Sequence, residues 1–433
     1  MKILFYNPTM TQRRFIPFEA IKGSAFFRRP HYDAMRLSYQ SNAHEFLYYD
    51  ENIEEKPDFA PDLIVVNVPL NLARYVESTI KNKWNKTTKI SFGVFPTLFP
   101  KLAKKFSNVV VNGDIAAIWS KILNDYQNHC LAPFYKSSDH TEFDVDRRLE
   151  TKYGFTPVFS QLRTSFGCHC KPEQKNYCYE NVFHKKFSRW SASRIVDEIS
   201  CIKRKVIYVL DDDFLADVDF AMKILEKCWR YKKMWIFKTT SNIFDYPHIL
   251  PMLRDDGVRI IYLNEDWLGT HLQKKIYSKN FIKEKAHQVS MIHNYRIAVG
   301  IKLRLGFEEE DYKFYKKLLK FLVGIRADLI EIAAQTPLPK TATYNRYKKY
   351  NQVVKDLTLY DQWMPVVRLP GINPQALYSW MEWLRDRFYS WDSILLRNIL
   401  VSPKLGFYNT AFFYLIPNLS YRNNFLERVG YPP

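Results

Sequence analysis

The chain has no uninterrupted run of about 18 apolar residues, so no segment is suited to crossing a bilayer. Its start, Met1-Lys-Ile-Leu-Phe-Tyr-Asn7, is too short an apolar run for a signal peptide and reads as a strand. Glycine is scarce, 13 of 433 residues, and 47% of the chain is hydrophobic, a composition that excludes a disordered polymer and fits two or three domains with cores. There are no internal repeats and no low-complexity segments. Gly-x-Gly-x-x-Gly occurs nowhere, which argues against a plain dinucleotide site. Acidic residues are outnumbered, 45 Asp and Glu against 64 Lys and Arg. The resulting formal charge of +19 implies an anionic partner: nucleic acid, an acidic cofactor or a membrane surface.

Cysteine is also sparse, yet three of the six lie within eleven residues, at Cys168, Cys170 and Cys178, directly after an apolar run. Thiolates packed this densely at a strand end usually hold a metal or a cluster. A structural zinc knuckle needs two to four residues between paired cysteines, and only one separates Cys168 from Cys170. No second pair follows to complete four ligands. The three thiols therefore read as three ligands with one position open, a count that fits a [4Fe–4S] cluster with one unligated iron. The plain alternative is ordinary loop cysteines, although buried structural cysteines do not usually cluster. Reduced thiols in a cluster imply the cytosol.

The residues around these thiols carry a resemblance. Thr164-Ser-Phe-Gly-Cys168 is similar to the strand end and first cysteine of radical S-adenosylmethionine (SAM) enzymes, and Tyr177-Cys178 resembles their aromatic-cysteine pair. The family spacing is Cys-x3-Cys-x2-Cys; here it is Cys-x-Cys-x7-Cys. The resemblance implies that Cys168, Cys170 and Cys178 hold the cluster and that Tyr177 touches the adenine of SAM.

Ahead of the cysteines, apolar runs at 2–6, 44–49, 62–68, 89–95 and 108–111 alternate with helical spacing at 72–84, 98–106 and 115–126, the last capped by Asp114. Such alternation predicts a doubly wound α/β domain, which binds ligands at the carboxyl ends of its strands. Those ends hold Asn67, Val68, Pro69 and Leu70; Gly93, Phe95, Pro96 and Thr97; and Asn112, Gly113 and Asp114. The domain resembles the cobalamin-binding domain of one radical SAM class, where a Gly-x-His-Pro-Thr-like turn follows the fourth strand; Gly93-Val-Phe-Pro-Thr97 is similar to it. Phe95 stands in place of the histidine, and Asp-x-His-x-x-Gly is absent, so the resemblance implies cobalamin without a histidine on its lower cobalt face. A domain that packs and binds nothing is the plain alternative.

Residues 131–155 are polar and read as a linker. Six further strand candidates follow, at 157–162, 205–210, 235–241, 258–263, 297–303 and 327–333, with helices between them at 191–204, 217–231, 246–255, 271–294 and 309–324. This predicts a partial (β/α)6 TIM-like barrel with its chemistry at the carboxyl ends of the strands. Asp211-Asp-Asp213 closes the second strand, Glu265 follows the fourth and Arg304 ends the fifth. By resemblance, Asp212 lies near the SAM amino group, Glu265 near the ribose and Arg304 near the carboxylate. A dipole-stabilised acidic turn and a surface arginine are the plain readings. Gln335-Thr-Pro-Leu-Pro-Lys-Thr341 resembles the class's Thr-Pro-x-Pro-Gly-Thr turn, with Lys340 for the glycine.

Residues 346–433 interleave aromatics with arginines and resemble, more weakly, the C-terminal helices of cobalamin-dependent enzymes that act on tetrapyrroles or hopanoid-type lipids. A helical lid is the plain reading; a basic aromatic helix also suits an anionic bilayer. The expected organisation is therefore 1–130 for cobalamin, 131–155 as linker, 156–345 as the radical SAM barrel and 346–433 as lid or substrate region. Implied cofactors are a [4Fe–4S] cluster, SAM and cobalamin, with flavodoxin or ferredoxin as electron donor. The implied activity is methyl transfer from methylcobalamin to an unactivated carbon of a large apolar, lipid or tetrapyrrole-like, or natural-product substrate, through a 5′-deoxyadenosyl radical. No general acid or base is required, and none is assigned. The expected location is cytoplasmic, with possible attachment to a membrane surface. Rival readings are a radical cyclase with the same cofactors, a non-catalytic cobalamin sensor and a nucleic-acid binder. The last should show one basic stripe, whereas Lys and Arg here are spread along all regions.

Overall fold

The structure, a computed structural model, describes all residues except 9–28, 52–53, 138–141, 143, 153–158, 168–186 and 423–433, and not the side chains of 400–403. Two parallel six-stranded sheets organise it. The first contains β1 (Lys2–Asn7), β2 (Glu45–Asp50), β3 (Leu63–Asn67), β4 (Thr88–Phe92), β5 (Val109–Asn112) and β6 (Phe134–Lys136), in the order β2-β1-β3-β4-β5-β6. Its central strands are apolar without alternation because helices cover both faces. Leu4 and Tyr6 join one core, Ile3 and Phe5 another. The order reverses between β1 and β3, which places the ligand crevice of such a fold at their carboxyl ends.

After β7 (Phe159–Leu162), a small antiparallel pair, β8 (Ser165–Phe166) and β9 (Ser188–Arg189), brackets the cysteine segment. The second sheet then continues through β10 (Val206–Val209), β11 (Met234–Thr239), β12 (Val258–Leu263), β13 (Ala298–Leu305) and β14 (Leu329–Ala334). All its pairings are parallel and follow chain order, from β7 at one edge to β14 at the other. Parallel strands paired in chain order, joined by crossovers of the usual right hand, are expected to carry their helices on one face. That face is mainly apolar: Ile207, Val209, Phe237, Val299, Ile301 and Ile330 are buried in one core. Each such side chain contributes on the order of 1.5–3 kcal/mol by leaving water.

The expected partial barrel and doubly wound domain are present, with local differences. Residues 131–155, read as linker, supply β6 at the edge of the first sheet and the helical turn Arg147–Lys152. The helix expected at 98–106 is instead two short ones, Val94–Leu98 and Pro100–Ala103, because Pro100 cannot continue a helix from Phe99. The helix expected at 271–294 breaks likewise, and its main part, Lys279–His293, starts where the Ser278 side chain caps Phe281. In the C-terminal region, helix Pro374–Phe388 begins with Asn373 as cap and proline at its first position. Its Leu377, Met381, Leu384 and Phe388 recur at helical spacing and bury into the barrel's core. Tyr389 bonds both the N–H (2.8 Å) and the C=O (2.7 Å) of Ile330, fastening this helix to β14.

Candidate functional site

The cysteine segment itself, with Cys168, Cys170, Tyr177 and Cys178, lies outside the described residues. Its two ends are described, and both are pinned at the carboxyl end of β7. The β8–β9 pair joins them, and the Trp190 amide donates to the Thr164 carbonyl at 2.9 Å. Asp211 locks the entry: its carboxylate accepts from the Thr164 amide (2.8 Å), the Thr164 hydroxyl and the Ser165 hydroxyl (2.7 Å). Burial raises its pKa, and these bonds work against that rise. Asp211 therefore fixes Thr164 and Ser165, at the entry to the cysteine segment, and is not open to a ligand.

The other acidic residues separate by environment. Asp212 stays partly exposed and pairs with Lys238 at 3.1 Å. Burial pushes its pKa up, but Lys238 and Lys302 more than offset this and hold it below the usual carboxylate range. Asp213 accepts from the hydroxyls of Thr239 (3.0 Å) and Thr240 (2.9 Å), and burial pushes its pKa up to about 6. Glu265 and Arg304, both assigned by resemblance to SAM, meet each other at 2.7 Å at the mouth of the barrel, and both remain partly exposed. The turn after β14 keeps a glycine-like backbone despite its lysine, for Lys340 has φ +72°. Thr341 then caps helix Ala342–Lys349.

At the first sheet, Gly93 has φ +100°, and a Cβ there would sit 2.1 Å from Asn67 Oδ1. Only glycine permits this approach, which brings Asn67 and the turn after β4 together at the crevice. The Val68 amide donates to the Phe92 carbonyl (2.9 Å) and the Phe95 amide to the Val68 carbonyl (3.1 Å), so the two loops are tied together. The side chains of Val68, Leu70, Phe95 and Thr97 are buried, leaving mainly backbone and Pro69 to face a ligand. Farther along the edge, Asp114 forms a buried bidentate ion pair with Arg36 (2.8 and 2.7 Å) and also caps Ala116, as its sequence position predicts. Asn112 and Gly113 sit where β5 meets β6; a Cβ on Gly113 would lie 2.7 Å from the Ser137 carbonyl oxygen.

Two residues at this site carry no sequence motif. His31 caps helix Tyr32–Gln40 by accepting from the Asp33 amide at 3.3 Å, and its Nε2 lies 2.7 Å from Asn67 Nδ2. Burial lowers its pKa. The preceding Pro30 carbonyl accepts from Gln161 of β7 at 2.9 Å. Pro30 and His31 thus bridge the carboxyl edge of the first sheet to the strand that leads into the cysteines. Arg163, at the end of β7, stacks 4.6 Å over Phe166, and its buried Nε has no hydrogen-bond partner among the described residues. An unmet cationic donor here fits an anionic cofactor. Among the described residues, no group of three or more His, Cys, Asp or Glu could hold a metal ion. Free Cys130 and Cys201 are exposed and free Cys228 is buried.

Comparison with known proteins agrees with this architecture. No protein-family model matches the chain. Bacteriochlorophyllide d C-12(1)-methyltransferase of Chlorobaculum tepidum is 20% identical over 268 residues; the match spans 59% of this chain and 59% of that protein. The solved radical S-adenosylmethionine methyltransferase TsrM of Kitasatospora setae, with cobalamin and a [4Fe–4S] cluster bound, superposes with a TM-score of 0.62 at 12% identity. It covers 88% of this chain and 90% of its own. The cobalamin-dependent S-adenosylmethionine radical enzyme OxsB, with aqua-cobalamin and S-adenosylmethionine bound, gives a TM-score of 0.59 at 12% identity, covering 99% of this chain and 76% of its own. Over most of its length, this chain therefore has the fold of the cobalamin-dependent radical SAM enzymes.

Proposed function

We propose that this chain is a cobalamin-dependent radical SAM methyltransferase acting on an unactivated carbon of a large, flat, mainly apolar substrate of tetrapyrrole type. The observation that carries this reading is the meeting of the two sheets' carboxyl edges through Pro30, His31 and Gln161, on the strand that precedes Cys168, Cys170 and Cys178 in sequence. The relative from Chlorobaculum tepidum supports the methyl-transfer and tetrapyrrole parts. A radical cyclisation on the same cofactors is the competing activity. In this reading, residues 1–130 hold cobalamin, 156–345 the cluster and SAM, and 346–433 close the site. Bound there, the cofactors would supply an electron, hydrogen abstraction and a methyl group. The chain's own part is positioning and exclusion of water. Asp211 holds the entry to the cysteine segment, Asn67 and Gly93 present backbone to the corrin, and Asp212, Glu265 and Arg304 meet SAM. A flavodoxin or ferredoxin supplies the electron.

Anaerobic preparation with iron, sulfide and cobalamin tests this reading. The expected product holds both cofactors, and its cob(II)alamin electron paramagnetic resonance lacks nitrogen splitting from a protein histidine. His31 does not change that expectation, because Asn67 and the Asp33 amide engage both its ring nitrogens. Failure to retain cobalamin, or a histidine signature lost in His31→Ala, sinks this part of the reading.

A specific observation favours attachment to an anionic lipid surface. Helix Trp391–Leu405 and the chain after it carry an exposed apolar stripe of Trp391, Leu395, Leu396, Ile399, Phe407, Tyr408 and Phe412, with Ile399 73% and Phe407 91% exposed. Patches of this kind mark interaction sites, and the excess of basic residues suits an anionic bilayer. No helix among the described residues is long and apolar enough to cross a membrane, so the contact is superficial. Each nearby Lys or Arg adds on the order of 1 kcal/mol to such attachment. Truncation before residue 346 cannot test it cleanly, because Leu384 and Phe388 belong to the barrel's core. The double variant Ile399→Glu, Phe407→Ser is expected to lose co-sedimentation with anionic vesicles at low salt and to keep its cofactors. Equal sedimentation of variant and parent removes the membrane reading. A concentration-dependent dimer that the variant abolishes reassigns the stripe to self-association.

A further inference from the structure

The face of the second sheet turned away from its helices carries Lys302, which has no assigned cofactor contact. Residues in register on neighbouring parallel strands, and residues two apart on one strand, project to the same side. Lys238 is in register with Tyr262, Tyr262 with Gly300, and Lys302 with Glu331. Tyr208 joins them through Ile236. A Cβ on Gly300 would lie 2.3 Å from the Tyr262 ring, so that ring lies across the glycine and forms part of the barrel's inner wall. Tyr421, from helix Ile416–Arg422, reaches the same wall and meets Tyr262 at 3.2 Å.

Three carboxylates act on Lys302 electrostatically, and each has its direct contact elsewhere. Asp212 pairs with Lys238, Glu265 with Arg304, and Glu331 accepts the Tyr421 hydroxyl at 3.0 Å. Among the described residues, Lys302 forms no ion pair and no hydrogen bond, although it is half-buried. Burial, and then the neighbouring Lys238 ammonium, lower its pKa, and Glu331, Asp212 and Glu265 only partly offset that fall. A half-buried ammonium with no direct contact to a carboxylate among the described residues gains from an anion that reaches it. It also stands near the strand ends, two residues beyond Gly300 and two before Arg304, within reach of whatever occupies the barrel mouth.

We propose that Lys302 anchors a carboxylate of the substrate, with the flat body of that substrate against Tyr208 and Tyr262. This rests on the methyltransferase reading and narrows its substrate class to an aromatic or tetrapyrrole acid. One ammonium beside a tyrosine wall suits a single carboxylate on a large ring better than a phosphate, which favours several donors or a guanidinium fork. SAM also carries a carboxylate, so the test separates the two sources.

Pheophorbide a, a tetrapyrrole with one free propionate, and its methyl ester are titrated into the anaerobic holoprotein, and quenching of its tyrosine and tryptophan fluorescence is followed. The acid is expected to bind about tenfold tighter than the ester, as fits one charge-assisted hydrogen bond. Lys302→Gln should remove that preference and leave ester binding unchanged, while Lys302→Arg should keep most of it. SAM affinity should be the same in all three proteins. The proposal is overturned if the parent shows no preference for the acid. It is also overturned if Lys302→Gln keeps the preference, or if that variant loses SAM binding instead. Iron and cobalamin contents of the parent are measured on the same preparations; their absence counts against the methyltransferase reading, whereas the acid preference reports on Lys302 alone.

Discussion

Replacing any one of Cys168, Cys170 and Cys178 with Ala is expected to reduce iron–sulfur absorption and SAM cleavage to background. A three-thiolate site with one open iron has no spare ligand, so each loss leaves a second iron without a protein donor. The structure adds a control. Cys130 and Cys201 are exposed and Cys228 is buried, and none of the three is in the cysteine segment. Cys130→Ala and Cys201→Ala should change neither iron content nor stability. Cys228→Ala should keep its iron and lose only about 1 kcal/mol, the scale of a small packing defect. Iron and sulfide counts with an absorption spectrum check the whole series. Full iron in the Cys170 variant means that the middle ligand is misassigned, the point on which the Cys-x-Cys-x7-Cys spacing departs from the common pattern.

The two sheets were legible because buried parallel strands write themselves as short apolar runs. The runs read at 62–68 and 258–263 correspond to Leu63–Asn67 and Val258–Leu263. Strand ends were legible for the same reason, since polarity returns abruptly at Asp211 and Asn264. What could not be read is what those end residues touch. Asp211, Asp212 and Asp213 are equivalent in sequence, yet one locks the entry to the cysteine segment, one pairs with Lys238 and one is held by two threonines. Glu265 and Arg304 were singled out separately, and only the packing of β12 beside β13 brings them together. β6 was missed because Phe134–Lys136 is three residues in a polar stretch, too short for any period to show. His31 was missed because its role comes from Asn67, 36 residues away. Lys238 and Lys302 did leave a trace: each is a lone charge inside an apolar run, Ile236-Phe-Lys-Thr239 and Val299-Gly-Ile-Lys-Leu303. A charge at such a position must face a lumen or a ligand, because the other side of the strand is covered by helices.

The largest effect on stability is expected at Arg397. This arginine is wholly buried, with its guanidinium 3.7 Å from the centre of the Phe388 ring. One terminal nitrogen donates to the Asp328 carbonyl at 2.7 Å. The other donates to the Phe388 carbonyl (2.7 Å) and to Asn418 Oδ1 (2.9 Å). It therefore joins three separate parts of the chain: the start of β14, the end of helix Pro374–Phe388 and helix Ile416–Arg422. Asp328 is tied in turn to His293 (2.7 Å) and to the Val299 amide (2.7 Å), so the same network reaches β13. Arg397→Met preserves much of the volume and removes every donor, stranding the Phe388 carbonyl and Asn418 Oδ1, while the Asp328 carbonyl keeps the Asn418 amide at 3.1 Å. Each stranded acceptor costs about 1–3 kcal/mol, and loss of one partner from a buried charged network typically totals about 3–5 kcal/mol. Denaturant unfolding of the apoprotein should show that loss, and limited proteolysis should cut first in the C-terminal helices, because one of their ties to the start of β14 is removed while the Tyr389–Ile330 bonds remain. A loss under about 1 kcal/mol would mean that water or relaxation satisfies these acceptors. Arg397→Lys should recover little, since a single ammonium cannot span acceptors that the planar fork reaches from two nitrogens.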